Sequence, residues 1–405
     1  MIKKFQETFK PDVGAGSFFL SILVWGIASG CFGAVLNNYL SDVRDINVME
    51  RGILEFFREM PGLLLVFLIA MMHKFTDWKI LKVGTLVSMI GLAGLMFASD
   101  KILITALIMV WSAGEHIILP IRSSIAMHVA REGKLGRSLG MVTGAANGGS
   151  VTGSAIAALI FYLGTRHWKV ANELTLYNLS WGLILVLLVG SLVVICTAKT
   201  DEVKTKRPRL YFHRKYMKFY ALELFYGARK QIFLTFAPYV LIRIYGMDTK
   251  SMAVLMGVCA LVNIYCAPMI GKLTDYIGYK NVMIYDTVVL FFVCLIYGYA
   301  DNLFAKNIAI WVVCLNFMLD TIISTSSMAS NIYVRDISAN EEEITASLTT
   351  GISINHLISI LAALLGGIVW KYVGVGTLFT FAAIMALGNS AFALTIPAPK
   401  KVVRG

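Results

Sequence analysis

Charge is scarce in this chain. Only 15% of its 405 residues are Asp, Glu, Lys or Arg, against about 25% in a soluble domain, and the mean hydropathy is +0.73. That shortage excludes a soluble fold, which would expose large apolar patches to water; the bilayer is the expected solvent. Cysteine chemistry is also missing. Cys31, Cys196, Cys259, Cys266, Cys294 and Cys314 all fall in apolar stretches, with no CxxC pair and no metal spacing, so they read as inert buried thiols and no metal site is expected. The HExxH motif and an intramembrane Asp-Asp pair are absent, which argues against an enzyme. No P-loop is present to take energy from ATP, and no cofactor is expected. Behind Lys3, Lys4 and Lys10 no small-residue cleavage pattern precedes Asn37, so a signal peptide is not expected either.

What the chain has instead is long apolar runs. Val83 to Ser99 and Trp181 to Ala198 contain no charge. A helix of about 20 apolar residues crosses a bilayer, and only helices or closed barrels satisfy their backbone there. Barrel strands would alternate apolar and polar residues; these runs do not, so an all-α membrane protein is expected. Twelve transmembrane helices can be drawn, near 17–41, 48–72, 80–98, 102–128, 137–162, 177–198, 216–244, 250–270, 281–300, 303–330, 344–370 and 374–396. Most connections are short. The exception is the basic stretch from Thr197 to Lys218, which predicts two six-helix bundles, 1–200 and 219–405, joined by a cytoplasmic loop over 201–218.

Basic residues set the orientation, because cytoplasmic loops collect Lys and Arg. Lys74, Lys79 and Lys82 lie in one connection, Arg131, Lys134 and Arg137 in another, and Lys400, Lys401 and Arg404 in the tail. The alternate connections, such as Ser99–Lys101 and Asp301–Asn302, are poor in positive charge. Both termini are therefore expected in the cytoplasm, in a cell (inner) membrane. The net charge of +12 reads as this bias and not as a nucleic-acid surface, for which no soluble module exists.

The two halves repeat. Lys74-Phe-Thr-Asp-Trp78 returns as Lys272-Leu-Thr-Asp-Tyr276, and the same offset carries Lys82 onto Lys280. Each copy follows the second span of its half. The fuller second copy, Gly271-Lys-Leu-Thr-Asp275-Tyr-Ile-Gly278-Tyr-Lys280, resembles the loop G-x-L-x-D-[RK]-x-G-[RK]-[RK] of the major facilitator superfamily. With twelve spans, two halves and a long basic middle, the resemblance covers essentially the whole chain: two pseudo-symmetric six-helix bundles, major-facilitator-like. It implies gating roles for Gly271, Asp275, Gly278 and Lys280, with the aspartate capping and pairing at helix ends. Tyr276 departs from the usual basic residue. The first copy keeps Asp77 and Lys82 but has His73 and Ile80 where glycines are expected.

Ionisable residues inside a bilayer cost about 2.5–3.5 kcal/mol each on insertion scales, so their placement carries information. Glu55, Arg58 and Glu59 fall in the second span; Glu115, His116 and Arg122 in the fourth; Glu223, Arg229 and Lys230 in the seventh; Asp320 in the tenth; Asn355 and His356 in the eleventh. The third, sixth and twelfth spans carry none in their interiors, and Asp286 of the ninth is expected near the interface. The resemblance implies that the first, fourth, seventh and tenth helices line a cavity. Helical spacing aligns Arg51, Glu55, Arg58, Glu59 and Gly62 on one stripe, and Asn316, Asp320, Ser324, Ser327 and Asn331 on another. Two uses are open. In one, Arg58, His116, Arg229, Lys230, Asn355 and His356 bind a solute near the midplane, Glu59, Glu115 and Asp320 carry protons, and Arg122 serves the inner gate. In the other the charges pair with one another, as Glu55, Arg58 and Glu59 can within one helix.

Small residues recur on the fifth span at Gly140, Gly144 and Gly148, then Gly149 and Gly153, spacing that lets helices approach closely. No proline lies between Pro120 and Pro208, so the Gly-Pro motif of the superfamily's drug antiporters is absent. The leading expectation is a monomeric, proton-coupled secondary transporter for a small organic anion or zwitterion. Efflux of an amphipathic compound and a non-transporting membrane sensor are the alternatives.

Overall fold

The structure is a computed structural model that describes residues 2–11, 14–132, 134–170, 172–198 and 212–397. The basic stretch over 199–211 and the tail from 398 on lie outside the described residues. A short α1 (Ile2–Thr8) leads into α2 (Ala15–Asn38), followed by α3 (Val48–Leu63), α4 (Leu65–Met71), α5 (Asp77–Leu95), α6 (Lys101–His128), α7 (Leu135–Arg166) and α8 (Leu174–Cys196). The chain resumes with α9 (Met217–Tyr239), α10 (Thr249–Ile277), α11 (Tyr279–Leu303), α12 (Lys306–Ile323), α13 (Met328–Ile337), α14 (Glu341–Tyr372) and α15 (Val375–Leu394). No strand occurs among the described residues; a single bridge joins Phe9 to Ala130.

Local chemistry accounts for several boundaries. Thr76 accepts from the Lys79 N–H and starts α5, Asp100 accepts from Leu103 N–H and starts α6, and Asn340 accepts from Glu343 N–H and starts α14. Gly278 (φ 83°) and Gly374 (φ 123°) turn the chain between α10 and α11 and between α14 and α15. The expected span 48–72 is broken into α3 and α4 at Leu64. Pro61, inside the last turn of α3, lacks an N–H and crowds the preceding turn, which ends the regular helix shortly after it. The expected span 303–330 is likewise interrupted, by a tight turn over Ser324–Ser327 between α12 and α13.

Ten helical segments of the described chain are long and apolar enough to cross a membrane. The stretches 48–72 and 216–244 are not among them, because Glu50, Arg51, Glu55, Arg58 and Glu59 crowd the first while Lys218, Glu223, Arg229, Lys230 and Arg243 crowd the second.

The helices group into two compact units that do not follow chain order. The first holds α1, α2, α4 to α8 and the opening of α10; the second holds α3, α9, the rest of α10 and α11 to α15. In the first, α2 packs along α7 and α8, and α5 along α6. Phe32 of α2 stacks on Trp111 with centroids 4.1 Å apart and tilts against Trp181 at 5.6 Å. The α2–α7 crossing is built on small residues. A Cβ added at Gly153 would stand 2.0 Å from the Ile27 carbonyl oxygen, and one at Gly149 2.4 Å from that of Leu23. Gly140, Gly144 and Gly148, the other half of the expected stripe, meet nothing within 4 Å. In the second unit α3 packs along α14 and α11 along α15. Gly52 lies where a Cβ would come 2.4 Å from the Ala363 carbonyl oxygen, so α3 is held close against α14. Phe233, Tyr297 and Phe379 form an aromatic cluster, and the Tyr297 hydroxyl donates to the Ala237 carbonyl at 2.7 Å.

Candidate solute site

Buried polar groups must be hydrogen-bonded and buried charges paired, so partners reveal which charges are committed. In the first unit the ionisable groups of α5 and α6 meet hydroxyl and carbonyl partners. Glu115 on α6, half-buried, accepts from Ser29 Oγ of α2 at 3.1 Å. Nδ1 of the buried His116 lies 2.8 Å from the Ser112 carbonyl oxygen and 3.1 Å from its Oγ. A carbonyl only accepts, so that contact assigns the proton to Nδ1. Asp77, buried in the first turn of α5, accepts from the Ser124 hydroxyl. Lys82 and Arg122 are half-buried.

In the second unit the charges form connected networks. Glu55 is fully buried and accepts from Arg51 Nη1, from Arg58 Nη2, from Arg58 Nε at 2.9 Å and from Gln231 Nε2 of α9 at 2.9 Å. Arg58 Nη2 also donates to Glu59 Oε1 at 3.0 Å, and Glu59 Oε2 lies 3.0 Å from His356 Nδ1 on α14. On α9, Arg229 is 1% exposed, pairs with Asp320 of α12, and donates from Nη2 to Ser324 Oγ at 3.1 Å. Its charge is compensated where it stands. A third network joins Glu223 to Ser330 Oγ and to Asn355 Nδ2, each at 3.2 Å.

Lys230, one residue beyond Arg229, has a different setting. It lines a cavity of about 300 Å³ with Glu223, Tyr226, Asn331, Asn355 and His356, closed on other sides by Phe219, Leu348 and Ile352. Among the described residues Lys230 makes no hydrogen bond or ion pair. The cavity thus brings together Lys230, Asn355 and His356 of the residues expected to bind solute, whereas Arg58 and Arg229 are engaged by carboxylates. An ammonium, a carboxylate, two amides and an aromatic wall around one cavity match the usual mix of apolar walls and a few placed polar groups.

The two copies of the repeated loop differ. In the second, Asp275 is exposed in the last turn of α10, with Gly271 earlier on that helix, Gly278 at the positive-φ turn and Lys280 half-buried at the start of α11. Among the described residues Asp275 has no hydrogen-bond partner. Asp77 of the first copy sits at a helix start and is buried. Nearby on α14, Glu343 accepts from Tyr216 Oη at 2.8 Å, Ala339 N–H at 3.1 Å and Lys215 Nζ at 3.2 Å. The Ala339 N–H, then the Tyr216 hydroxyl and the Lys215 ammonium, hold its carboxyl down at about 2. Sequence reasoning passed over Glu343 because two partners are 127 and 128 residues away and the third sits in an ordinary-looking loop.

The fold and this array of paired charges along apolar helices are those of a multi-pass membrane transporter. The profile of the Major Facilitator Superfamily matches residues 17–353, and the chain belongs to that superfamily, whose members are transporters of small solutes and not enzymes. Solved structures agree in fold. The nucleoside transporter NupG is 11% identical, covers 95% of this chain and 98% of its own, and superposes with a TM-score of 0.73. The xylose transporter XylE from E. coli is 12% identical, with 96% and 98% covered and a TM-score of 0.74. A bacterial homologue of the human lysosomal transporter Spinster is 12% identical, with 94% and 95% covered and a TM-score of 0.67. No curated protein matches the chain.

Proposed function

We propose that the chain is a proton-coupled secondary transporter that works by alternating access and carries a small organic anion or zwitterion. The observation that carries the reading is Lys230: an ammonium with no hydrogen bond or ion pair among the described residues, lining a cavity of about 300 Å³ with Glu223. A cation in such a place is costly unless something binds to it, and an anionic group on the solute is the natural counter-charge. Asn355 and Asn331 supply amides for further polar groups, Tyr226 and Phe219 an apolar wall, and Glu223 a carboxylate that suits an ammonium on a zwitterion. NupG and XylE are transporters of a nucleoside and of xylose; a cavity lysine without an ion pair among the described residues favours a charged solute here.

In this reading the chain crosses a cell (inner) membrane twelve times, with 1–200 and 219–405 as six-helix bundles, 201–218 as the cytoplasmic loop, and both termini inside. It acts as a monomer and has no nucleic-acid partner. Glu59, Glu115 and Asp320 are the coupling acids, each already in a hydrogen bond that protonation would alter. Asp77, Lys82, Arg122, Gly271, Asp275, Gly278 and Lys280 serve the gates. The experiment is uptake of metabolite pools into liposomes by purified wild-type protein and by Lys230→Gln. Selective loss of an anionic or zwitterionic solute in the variant supports the reading; unchanged uptake of every transported compound rules out Lys230 as its anchor.

A further inference from the structure

A second chamber lies in the same unit, beside the solute cavity but much smaller, about 20 Å³, or one water molecule in size. It is bounded by α9, α11, α13, α15 and the tight turn after α12. Asp286, Thr287, Glu223, Ser326, Ser327 and Ser330 supply most of its polar lining, with the Asn389 amide closing one side.

That lining is rich in acceptors. Oδ1 of Asp286 is buried and makes no hydrogen bond among the described residues, while the other carboxylate oxygen accepts from Ser326 Oγ. Glu223 accepts from Ser330 Oγ and Asn355 Nδ2. The hydroxyl protons have acceptors of their own: Ser326 has the Ile323 carbonyl at 2.6 Å or Asp286, Ser330 the Ser327 carbonyl at 2.9 Å or Glu223, and Thr287 the Met283 carbonyl at 2.8 Å. Once those bonds are made, each hydroxyl has only lone pairs left to offer. A water can donate to Asp286 Oδ1 but leaves the carboxylate charge uncompensated. A cation meets both needs.

Charge leads to the same occupant. In the span interiors of this unit, Arg51, Arg58, Arg229 and Lys230 stand against Glu55, Glu59, Glu223, Asp286 and Asp320, so with His356 neutral beside Glu59 the carboxylates exceed the cations by one. Arg51 and Arg58 are taken by Glu55 and Glu59, and Arg229 by Asp320. Among the described residues Asp286 makes no ion pair. A buried charge is paired or coordinates a metal ion, and a single positive charge closes the balance.

We propose that this chamber binds one Na+ ion, held by Asp286 and Glu223 with the hydroxyl oxygens of Ser326 and Ser327 completing an all-oxygen shell. Hard cations take oxygen ligands, a space the size of one water holds one dehydrated monovalent cation, and two carboxylates attract the smaller Na+ or Li+ more strongly than K+. Glu223 belongs to both chambers. A cation at Asp286 therefore alters the field at the wall that faces Lys230, which links ion and solute occupancy through one side chain. The ion site stands on its own geometry and does not require that any particular solute be carried.

The test uses purified full-length protein in detergent, without a transport assay. Its thermal midpoint is measured against NaCl, LiCl, KCl and choline chloride at constant ionic strength, and binding of radiolabelled Na+ is measured directly. Expected is a saturable rise with Na+ and Li+ beyond that with choline, a smaller response to K+, and one Na+ bound per chain. Asp286→Asn should remove both the Na+-specific rise and the bound label. Ser327→Ala, a milder change at the chamber wall, should weaken Na+ at least several-fold if Asp286→Asn does not fold. A wild-type midpoint that is the same in Na+ and choline, or that follows pH alone, overturns the proposal, as does full Na+ binding by Asp286→Asn.

Discussion

The two units handle buried charge in opposite ways. In the first, Glu115 contacts Ser29 of α2 and His116 contacts Ser112 of its own helix, and the body of the unit is aromatic and glycine packing. In the second, α3, α9, α12 and α14 tie arginines and carboxylates into networks that cross from helix to helix. Removing a group from the first unit leaves a neighbour that can find another partner. Removing one from the second strands a buried charge, and that difference in cost is the measurable content of the comparison.

The largest effect is expected at Glu55, which serves two arginines and Gln231 at once. Glu55→Ala should destabilise the protein by about 3–5 kcal/mol, the usual cost of breaking a buried pair, seen as loss of monodisperse material after extraction. Glu115→Ala in the first unit should be tolerated far better. Equal losses from both would erase the contrast between the units. Next come the glycines of the first unit. Gly153→Ala drives a methyl into the Ile27 carbonyl and should cost about 1–3 kcal/mol by overpacking. Gly144→Ala meets open space and should be neutral or slightly stabilising, since alanine is the better helix former. Thermal midpoints of the two variants decide it; similar losses would show that the whole stripe packs.

Arg229 and Lys230 sharpen the comparison within the second unit. Arg229→Gln strands Asp320 and should lower stability, whereas Lys230→Gln should leave stability within about 0.5 kcal/mol and reduce solute binding. If Lys230→Gln unfolds the protein and Arg229→Gln does not, the assignment of structural and binding roles is reversed. The smallest effect concerns Glu343, whose carboxyl is lowered from the ordinary 4.5 to about 2. A depressed carboxyl contributes stability that is present above its unfolded value and is lost as pH falls through the folded one. Glu343→Gln should therefore lower the thermal midpoint from pH 8 down to about 4.5, with the gap to wild type narrowing toward pH 2. A constant gap over that window would show that the Tyr216 and Lys215 contacts do not depend on the carboxylate charge.

Much of the fold was legible because a bilayer leaves few choices. Long uncharged runs must be helices, and ten of the drawn spans pass as membrane-crossing helices with small shifts at their ends. The repeated loop and the family likeness could be read from residues alone, since Gly278 is required wherever the chain turns with φ near 83°. The breaks were harder to read. Pro61 was visible but its effect depends on whether neighbouring helices support the kink, and the serine turn at 324–327 has no breaker residue.

The sequence by itself determined that this is a helical membrane protein, which residues carry charge inside it, and which family its loop belongs to. Helical periodicity and hydropathy are properties of one segment at a time, so one segment is enough to read them. Only the tertiary structure decided which charges are spent on each other. Arg229 and Lys230 are adjacent in the chain and alike in composition, yet a helix turns about 100° between successive residues. That rotation delivers one guanidinium to Asp320 and Ser324 and leaves the neighbouring ammonium in a cavity.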